Sequence, residues 1–118
     1  MRILIVEDNA DMRDLLSVLI GHMGHVPVLA TDGQEALGKA KAEKPDLILM
    51  DIMMPGMDGR ELTRILRATP ETTDIPILAA TAMFRAVDLQ GCIGAGCNDY
   101  IIKPFTLEEL RRKITALV

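Results

Sequence analysis

Leu47-Ile48-Leu49-Met50-Asp51-Ile52-Met53-Met54-Pro55-Gly56-Met57-Asp58-Gly59 is the stretch that decides the fold. Four apolar residues run without a break into a carboxylate, and a Pro/Gly loop follows. A strand that is apolar at nearly every position is covered on both faces, the condition of parallel strands inside an α/β sheet. Open sheets of that kind carry their chemistry at the carboxyl ends of the strands, so Asp51 stands where a functional acid belongs.

The same construction recurs on either side. Ile3-Leu4-Ile5-Val6 ends in Glu7-Asp8, Ile77-Leu78-Ala79-Ala80 in Thr81, and Tyr100-Ile101-Ile102 in Lys103-Pro104. The pattern predicts strands over 2–7, 26–30, 46–51, 76–80 and 98–102. Pro27 cannot donate to a central ladder, which puts the second strand at an edge. Between the first two strands Met12, Leu15, Leu16, Leu19, Ile20 and Met23 form one helical stripe that Gly24 ends. A second helix, about 34–43, stops before Pro45. A third, about 58–68, turns Leu62, Ile65 and Leu66 inward. The fourth, 84–95, is the weakest, since Gly91 and Gly94 each cost about 1 kcal/mol relative to alanine. The last, 106–117, carries Leu107, Leu110, Ile114 and Leu117, and Thr106 with Glu109 reads as a capping box at its start. Strand and helix alternate five times, which gives a parallel sheet with helices on both faces, in one domain over 1–118.

Composition narrows the function. A 118-residue chain with 49% hydrophobic residues supports one core and is not disordered. The net charge is −4 and the longest basic run is Arg111-Arg112-Lys113, which argues against direct contact with nucleic acid. Cys92 and Cys97 lack the spacing and the further ligands of a zinc site and read as buried thiols in a reducing compartment. A strand starting at Arg2 leaves no room for a signal peptide, and no apolar stretch approaches the ~20 residues that span a bilayer. The expectation is a soluble, cytoplasmic chain.

Acid pair, lone aspartate, hydroxyl and Lys-Pro, each closing a strand in that chain order, resemble the receiver domain of bacterial two-component response regulators. The resemblance covers the whole chain and implies a CheY-like, flavodoxin-like doubly wound (βα)5 fold with strand order 2-1-3-4-5. The first and third strands are then neighbours, which gathers Glu7, Asp8 and Asp51. Clustered carboxylates repel unless a cation joins them, and oxygen-only ligands suit Mg²⁺ or Mn²⁺. By resemblance Asp8, Asp51 and the Met53 carbonyl hold the metal, Glu7 acts directly or through water, and Asp51 is the phosphoacceptor. Lys103 and the Thr81 hydroxyl stabilise the phosphoryl oxygens. The Lys103-Pro104 bond is expected to be cis. Thr81 and Tyr100 form the switch, which is read out on the fourth helix, fifth strand and fifth helix, with Phe105 beside that surface. The phosphodonor is a histidine kinase or histidine phosphotransfer protein, and the target is another protein. The chain itself is a phosphoacceptor rather than an enzyme, a monomer or a weak phosphorylation-dependent dimer.

Each residue also has a plainer reading. Asp8 or Asn9 could cap the first helix. Thr81 and Lys103 could be ordinary polar residues at strand ends, and Tyr100 a core ring with its hydroxyl at the surface. His22 and His25 read as solvated. Met53 and Met83, two positions after Asp51 and Thr81, are thioethers where polar groups would orient water, so self-dephosphorylation is expected to be slow. A haloacid-dehalogenase-type phosphohydrolase would want an aspartate at position 53 and a lid. A flavodoxin would want a hydroxyl-rich phosphate loop in place of Glu7-Asp8-Asn9-Ala10-Asp11. Because the chain ends with its fifth helix, a stand-alone receiver is expected; the alternative is a receiver cut from a longer regulator or hybrid histidine kinase.

Overall fold

Every residue of Leu47–Asp51 (β3) and of Ile77–Thr81 (β6) is buried, and Arg2–Val6 (β1) is buried after its first residue. The two faces of these strands feed two separate cores. In the computed structural model, which describes residues 1–82 and 85–118, the strands pair in parallel in the order Val26–Ala30 (β2), β1, β3, β6 and Asp99–Ile102 (β7). The edges are β2 and β7. Pro27 therefore lies on an edge strand, the position its missing N–H allows. This is the doubly wound order expected for the sheet. Met53–Met54 (β4) and Met57–Asp58 (β5) form a separate antiparallel pair.

Side-chain alternation assigns the helices. Leu4, Val6, Ile48, Met50, Ile77 and Ala79 face one core, shared with Gly33–Glu43 (α2), Gly59–Ala68 (α3) and Ala86–Ala95 (α4). Ile3, Ile5, Leu47, Leu49, Leu78 and Ala80 face the other, shared with Ala10–His22 (α1) and Leu107–Leu117 (α5). A period of two along the strands thus separates three helices from two.

The stripes are narrower than the sequence suggests. In α1 only Leu16 and Ile20 are buried, and Leu15 is 51% exposed. In α3 Leu62 and Leu66 are buried while Ile65 is 38% exposed. Six apolar residues over three turns exceed the arc one helix can turn toward a sheet, so the flanking ones remain at the surface. α4 has no side-chain cap at Arg85 and buries only Leu89, Cys92 and Ala95. Met83, expected to flank the phosphoryl site, and Phe84, expected as the first residue of this helix, lie outside the described residues.

Thr106 caps α5 by accepting from Glu109 N at 3.1 Å, but the Glu109 carboxylate meets the Thr106 hydroxyl at 3.3 Å instead of the cap's N–H. His25 is not simply solvated. It is half-buried, its Nδ1 lies 3.4 Å from the Met1 amino group, and partial burial and that positive charge lower its pKa.

Candidate functional site

The carboxyl ends of β1, β3, β6 and β7 meet on one side of the sheet. As β1 ends, Glu7 keeps a last ladder-like bond, its N–H donating to Ala30 O at 3.1 Å. Its side chain is buried, with Oε2 accepting from Asn9 N at 3.2 Å. Asn9 then caps α1, its Oδ1 accepting from Met12 N at 2.9 Å. The cap belongs to Asn9, which leaves the exposed Asp8 carboxylate to the cleft. The Arg13 guanidinium, one turn into α1, donates to Glu7 O at 2.9 Å and Asp8 O at 3.2 Å. These carbonyls lie beyond the last paired residue of β1, and Arg13 supplies donors for them.

Asp51 ends β3 at 8% exposure, and its Oδ1 accepts from Met53 N at 3.3 Å. Ligand oxygens of Glu7, Asp8 and Asp51 all lie within 4.8 Å of one another. Lys103, at the end of β7, brings Nζ to 3.1 Å from Glu7 Oε1 and 3.3 Å from Asp51 Oδ1. Three carboxylates and one ammonium leave a formal charge of −2 (−3 + 1). An all-oxygen donor set with that charge fits a hard divalent cation, held by Glu7, Asp8 and Asp51. The cleft encloses about 610 Å³, and Asp8, Met53 and Pro55 lie along its walls.

Thr81 is fully buried at the end of β6, and its carbonyl accepts from Lys103 N at 2.7 Å. The Lys103–Pro104 peptide is cis. Tyr100 does not join the acidic cluster. It is half-buried, pairs in register with Ala79, and lies in a groove with Ala86, Leu89, Gln90 and Ile93. Lys113 Nζ sits 5.3 Å from the centre of its ring. Phe105 follows the cis Lys103–Pro104 peptide. It packs on the α1/α5 core and borders an apolar groove of about 380 Å³ with Met12, Leu15, Leu16, Leu19 and Pro104.

Two supporting residues escape sequence reasoning. Gly59, the first residue of α3, passes so close to β3 that a Cβ there would lie 2.8 Å from Asp51 O and 2.7 Å from Ile52 Cα. Arg13 reads in sequence as an ordinary helix surface residue. For Gly59 the Asp58-Gly59 pair after the loop is a faint signal; Arg13 gives none. Gly56, at φ 80°, follows Pro55 at the tip of β4–β5, the residue pair a type II turn requires. Asp58 caps α3 and accepts from the Arg60 guanidinium, which holds its carboxyl below the usual range. The thiols are buried and free, and burial pushes Cys97 up to about 11.

A five-stranded doubly wound sheet with three acids and a lysine at its carboxyl edge defines an acidic-pocket α/β protein of the flavodoxin-like class. Residues 3–115 match the response regulator receiver domain, and the chain belongs to that family. It is 42% identical over 118 residues to the response regulator MprA of Mycobacterium leprae, covering 100% of this chain and 51% of that protein. The MprA protein of Mycobacterium avium is 41% identical with the same coverage. The chain thus spans about half the length of the curated relatives it matches. Among solved structures, the chemotaxis protein CheY4 of Vibrio cholerae superposes with a TM-score of 0.94 at 29% identity, over 99% of this chain and 98% of that one. The receiver domain of a sensor histidine kinase from Pseudomonas aeruginosa gives 0.90 at 36% identity, over 98% and 95%. That domain holds a magnesium ion coordinated in its active-site cleft.

Proposed function

We propose that Asp51 accepts a phosphoryl group from a histidine kinase or histidine phosphotransfer protein, and that the resulting change is read by a protein target. The observation that carries this reading is the meeting of Glu7, Asp8 and Asp51 within 4.8 Å, with Lys103 Nζ 3.3 Å from Asp51. Glu7, Asp8, Asp51 and the Met53 carbonyl would hold Mg²⁺, or Mn²⁺ in its place. When bound, the cation neutralises charge on the transferring oxygens. An Asp51 carboxylate oxygen forms the new bond to phosphorus while the bond to the donor nitrogen breaks. Lys103, anchored by Glu7, supplies a fixed positive charge, and Thr81 a hydroxyl donor.

The donor's approach is suggested by continuity of surface. Met12, Leu15 and Lys103 border both the acidic cleft and the apolar groove beside Pro104 and Phe105. A helical phosphodonor resting on that groove would present its histidine to Asp51. Readout falls on α4, β7 and α5. Tyr100 and Thr81 share one face of the sheet, because Tyr100 pairs with Ala79, two residues before Thr81. A shift of Thr81 toward the phosphoryl group would free space for the Tyr100 ring, a population shift between two packings. We place this switch in the cytoplasm, as a monomer or a weak phosphorylation-dependent dimer, with no catalytic role beyond its own phosphorylation and slow dephosphorylation.

The chain's half coverage of its relatives favours a second arrangement, the same switch as the receiver segment of a longer regulator. The length of the gene separates this from stand-alone operation. The chemistry is tested by intact mass after incubation with acetyl phosphate, with and without Mg²⁺, for the parent and Asp51→Asn. One Mg²⁺-dependent phosphoryl adduct, absent in the variant, is expected. A folded, Mg²⁺-binding chain that gains no adduct from this donor or from a histidine phosphotransfer protein would sink the reading.

A further inference from the structure

We propose that Met53 is a peroxide-sensitive modification site whose oxidation shortens the life of the aspartyl phosphate, an inference that rests on Asp51 as phosphoacceptor. The Met53 N–H donates to Asp51 Oδ1 at 3.3 Å, which ties this residue to the lip of the acidic cleft. Its side chain borders that cleft together with Asp51 and Lys103, yet is 62% exposed. The neighbouring thioethers differ: Met50 is 0% and Met54 8% exposed, and Met12, Met23 and Met57 are half-buried. Met1 is 40% exposed but lies at the amino end of β1, at the opposite edge of the sheet. Among the described methionines, Met53 alone combines open access to a solution oxidant with a place beside the phosphoacceptor.

The oxidant is a peroxide. The thioether sulfur attacks one peroxide oxygen, an S–O bond forms and the O–O bond breaks. The departing oxygen leaves as hydroxide and takes the proton of the sulfur-bound hydroxyl to become water. Sulfur loses two electrons and the peroxide gains them, which gives the sulfoxide.

The consequence follows from hydrogen-bonding capacity. A thioether is a weak acceptor and cannot hold a water molecule in one orientation. A sulfoxide places a polar oxygen on the same flexible arm, without moving the backbone that positions Asp51. Loss of the phosphoryl group from Asp51 requires an oriented water, so the oxidised chain dephosphorylates faster than the reduced one. Peroxide thereby erases the signal, and reduction of the sulfoxide by a dithiol, which becomes a disulfide as the oxygen leaves as water, restores the slow form.

The test uses the full chain, hydrogen peroxide and acetyl phosphate. Protein is treated or left untreated, peptide mapping locates the added oxygen, and phosphoprotein decay is followed after the donor is removed. Met53→Leu, which cannot be oxidised, is run in parallel, with Met53→Gln as a permanent polar substitute. The expected result is oxygen on Met53 before any half-buried methionine, and a several-fold shorter lifetime in the treated parent. Met53→Leu should decay identically before and after treatment, and Met53→Gln should resemble the oxidised parent. Oxidation elsewhere first, an unchanged lifetime with Met53 oxidised, or equal shortening in Met53→Leu would each overturn the proposal. An untreated chain that takes no adduct from any donor would overturn the phosphoacceptor reading, and this one with it.

Discussion

Replacing Gly59 by alanine should loosen the fold and the acidic cleft together. The new Cβ would lie 2.7 Å from Ile52 Cα, 2.8 Å from Asp51 O and 3.0 Å from Ile52 Cδ1. Carbon atoms prefer about 3.5–4.0 Å, so the overlap is close to an ångström. The two nearest obstacles are backbone, and no side-chain rotation clears them. Moving α3 away stretches the bond from Gly59 N to Ile52 O, now 2.8 Å. Overpacking of this sort costs roughly 1–3 kcal/mol. A weakened backbone hydrogen bond adds up to about 1 kcal/mol. The better helix propensity of alanine returns at most about 1 kcal/mol. The net expectation is a loss of about 1–3 kcal/mol, or several degrees in melting temperature.

Urea unfolding measures the stability, and Mg²⁺ titration by calorimetry reports whether Asp51 has shifted. Two glycines serve as controls. At Gly38, within α2, a Cβ meets nothing within 4 Å, so Gly38→Ala should stabilise by about 0.5–1 kcal/mol. At Gly56 there is equal room but φ is 80°, so Gly56→Ala should strain the turn by about 1–2 kcal/mol and leave metal affinity nearly intact. A Gly59→Ala chain with parent-like urea midpoint and parent-like Mg²⁺ affinity would refute the close-approach argument.

Three further outcomes are expected. Mg²⁺ at a hundred times its dissociation constant should stabilise the chain by about 2.7 kcal/mol. Asp8→Asn should lose most of that increment, and equal Mg²⁺-dependent melting shifts in parent and variant would remove Asp8 from the site. Cys97 binds its proton more tightly when folded, because burial raises it from 9.0 to about 11. Its stabilising contribution is therefore complete below pH 9.0 and declines as pH rises toward 11. Urea midpoints across that interval should fall more steeply for the parent than for Cys97→Ala. The Arg67 guanidinium donates to Gly96 O at 2.9 Å, Thr73 O at 2.9 Å, Ile75 O at 2.7 Å and Asn98 Oδ1 at 2.7 Å, joining α3 to the entrances of β6 and β7. Arg67→Met keeps the stem but removes these donors, leaving Asn98 Oδ1 only its bond from Ile77 N at 2.8 Å, for a loss of roughly 2–3 kcal/mol by urea unfolding. Lysine at this position should recover only part, since one ammonium cannot reach all four.

The parts of the fold that were legible in sequence are those written by period. Leu47 to Met50 and Ile77 to Ala80 announce strands buried on both faces, and Pro27 marks an edge because of a missing donor. Strand order is not a periodic property; it came from the resemblance alone. The β4–β5 pair escaped notice because two residues per strand contain no period, although Pro55-Gly56 carries the turn. Periodicity points Leu15 and Ile65 inward because hydrophobicity marks what can be buried, whereas the width of the sheet contact decides what is. Asp8 left two roles open in sequence, and the choice turned on Asn9 taking the cap. Arg13 and Gly59 act through approaches between segments that only the folded path creates.

Those approaches explain how a cluster the fold should resist can be held together. Two like charges about 5 Å apart repel by roughly 3 kcal/mol at an effective dielectric near 20, less where water reaches them, as it does at Asp8. Lys103 offsets part of this by lying between Glu7 and Asp51, and a single ammonium cannot also neutralise Asp8. Backbone contacts hold the segments that carry the acids. Arg13 pins the carbonyls of Glu7 and Asp8, Ala30 O receives the Glu7 N–H, and Gly59 lets α3 press against the Asp51 carbonyl. These ties lie outside the carboxylates, so the segments that carry the acids are held while Lys103 is the cation that offsets their charge. A site built this way keeps a net negative charge in reserve, and that reserve is what a divalent cation would bind and a phosphoryl group would then reset.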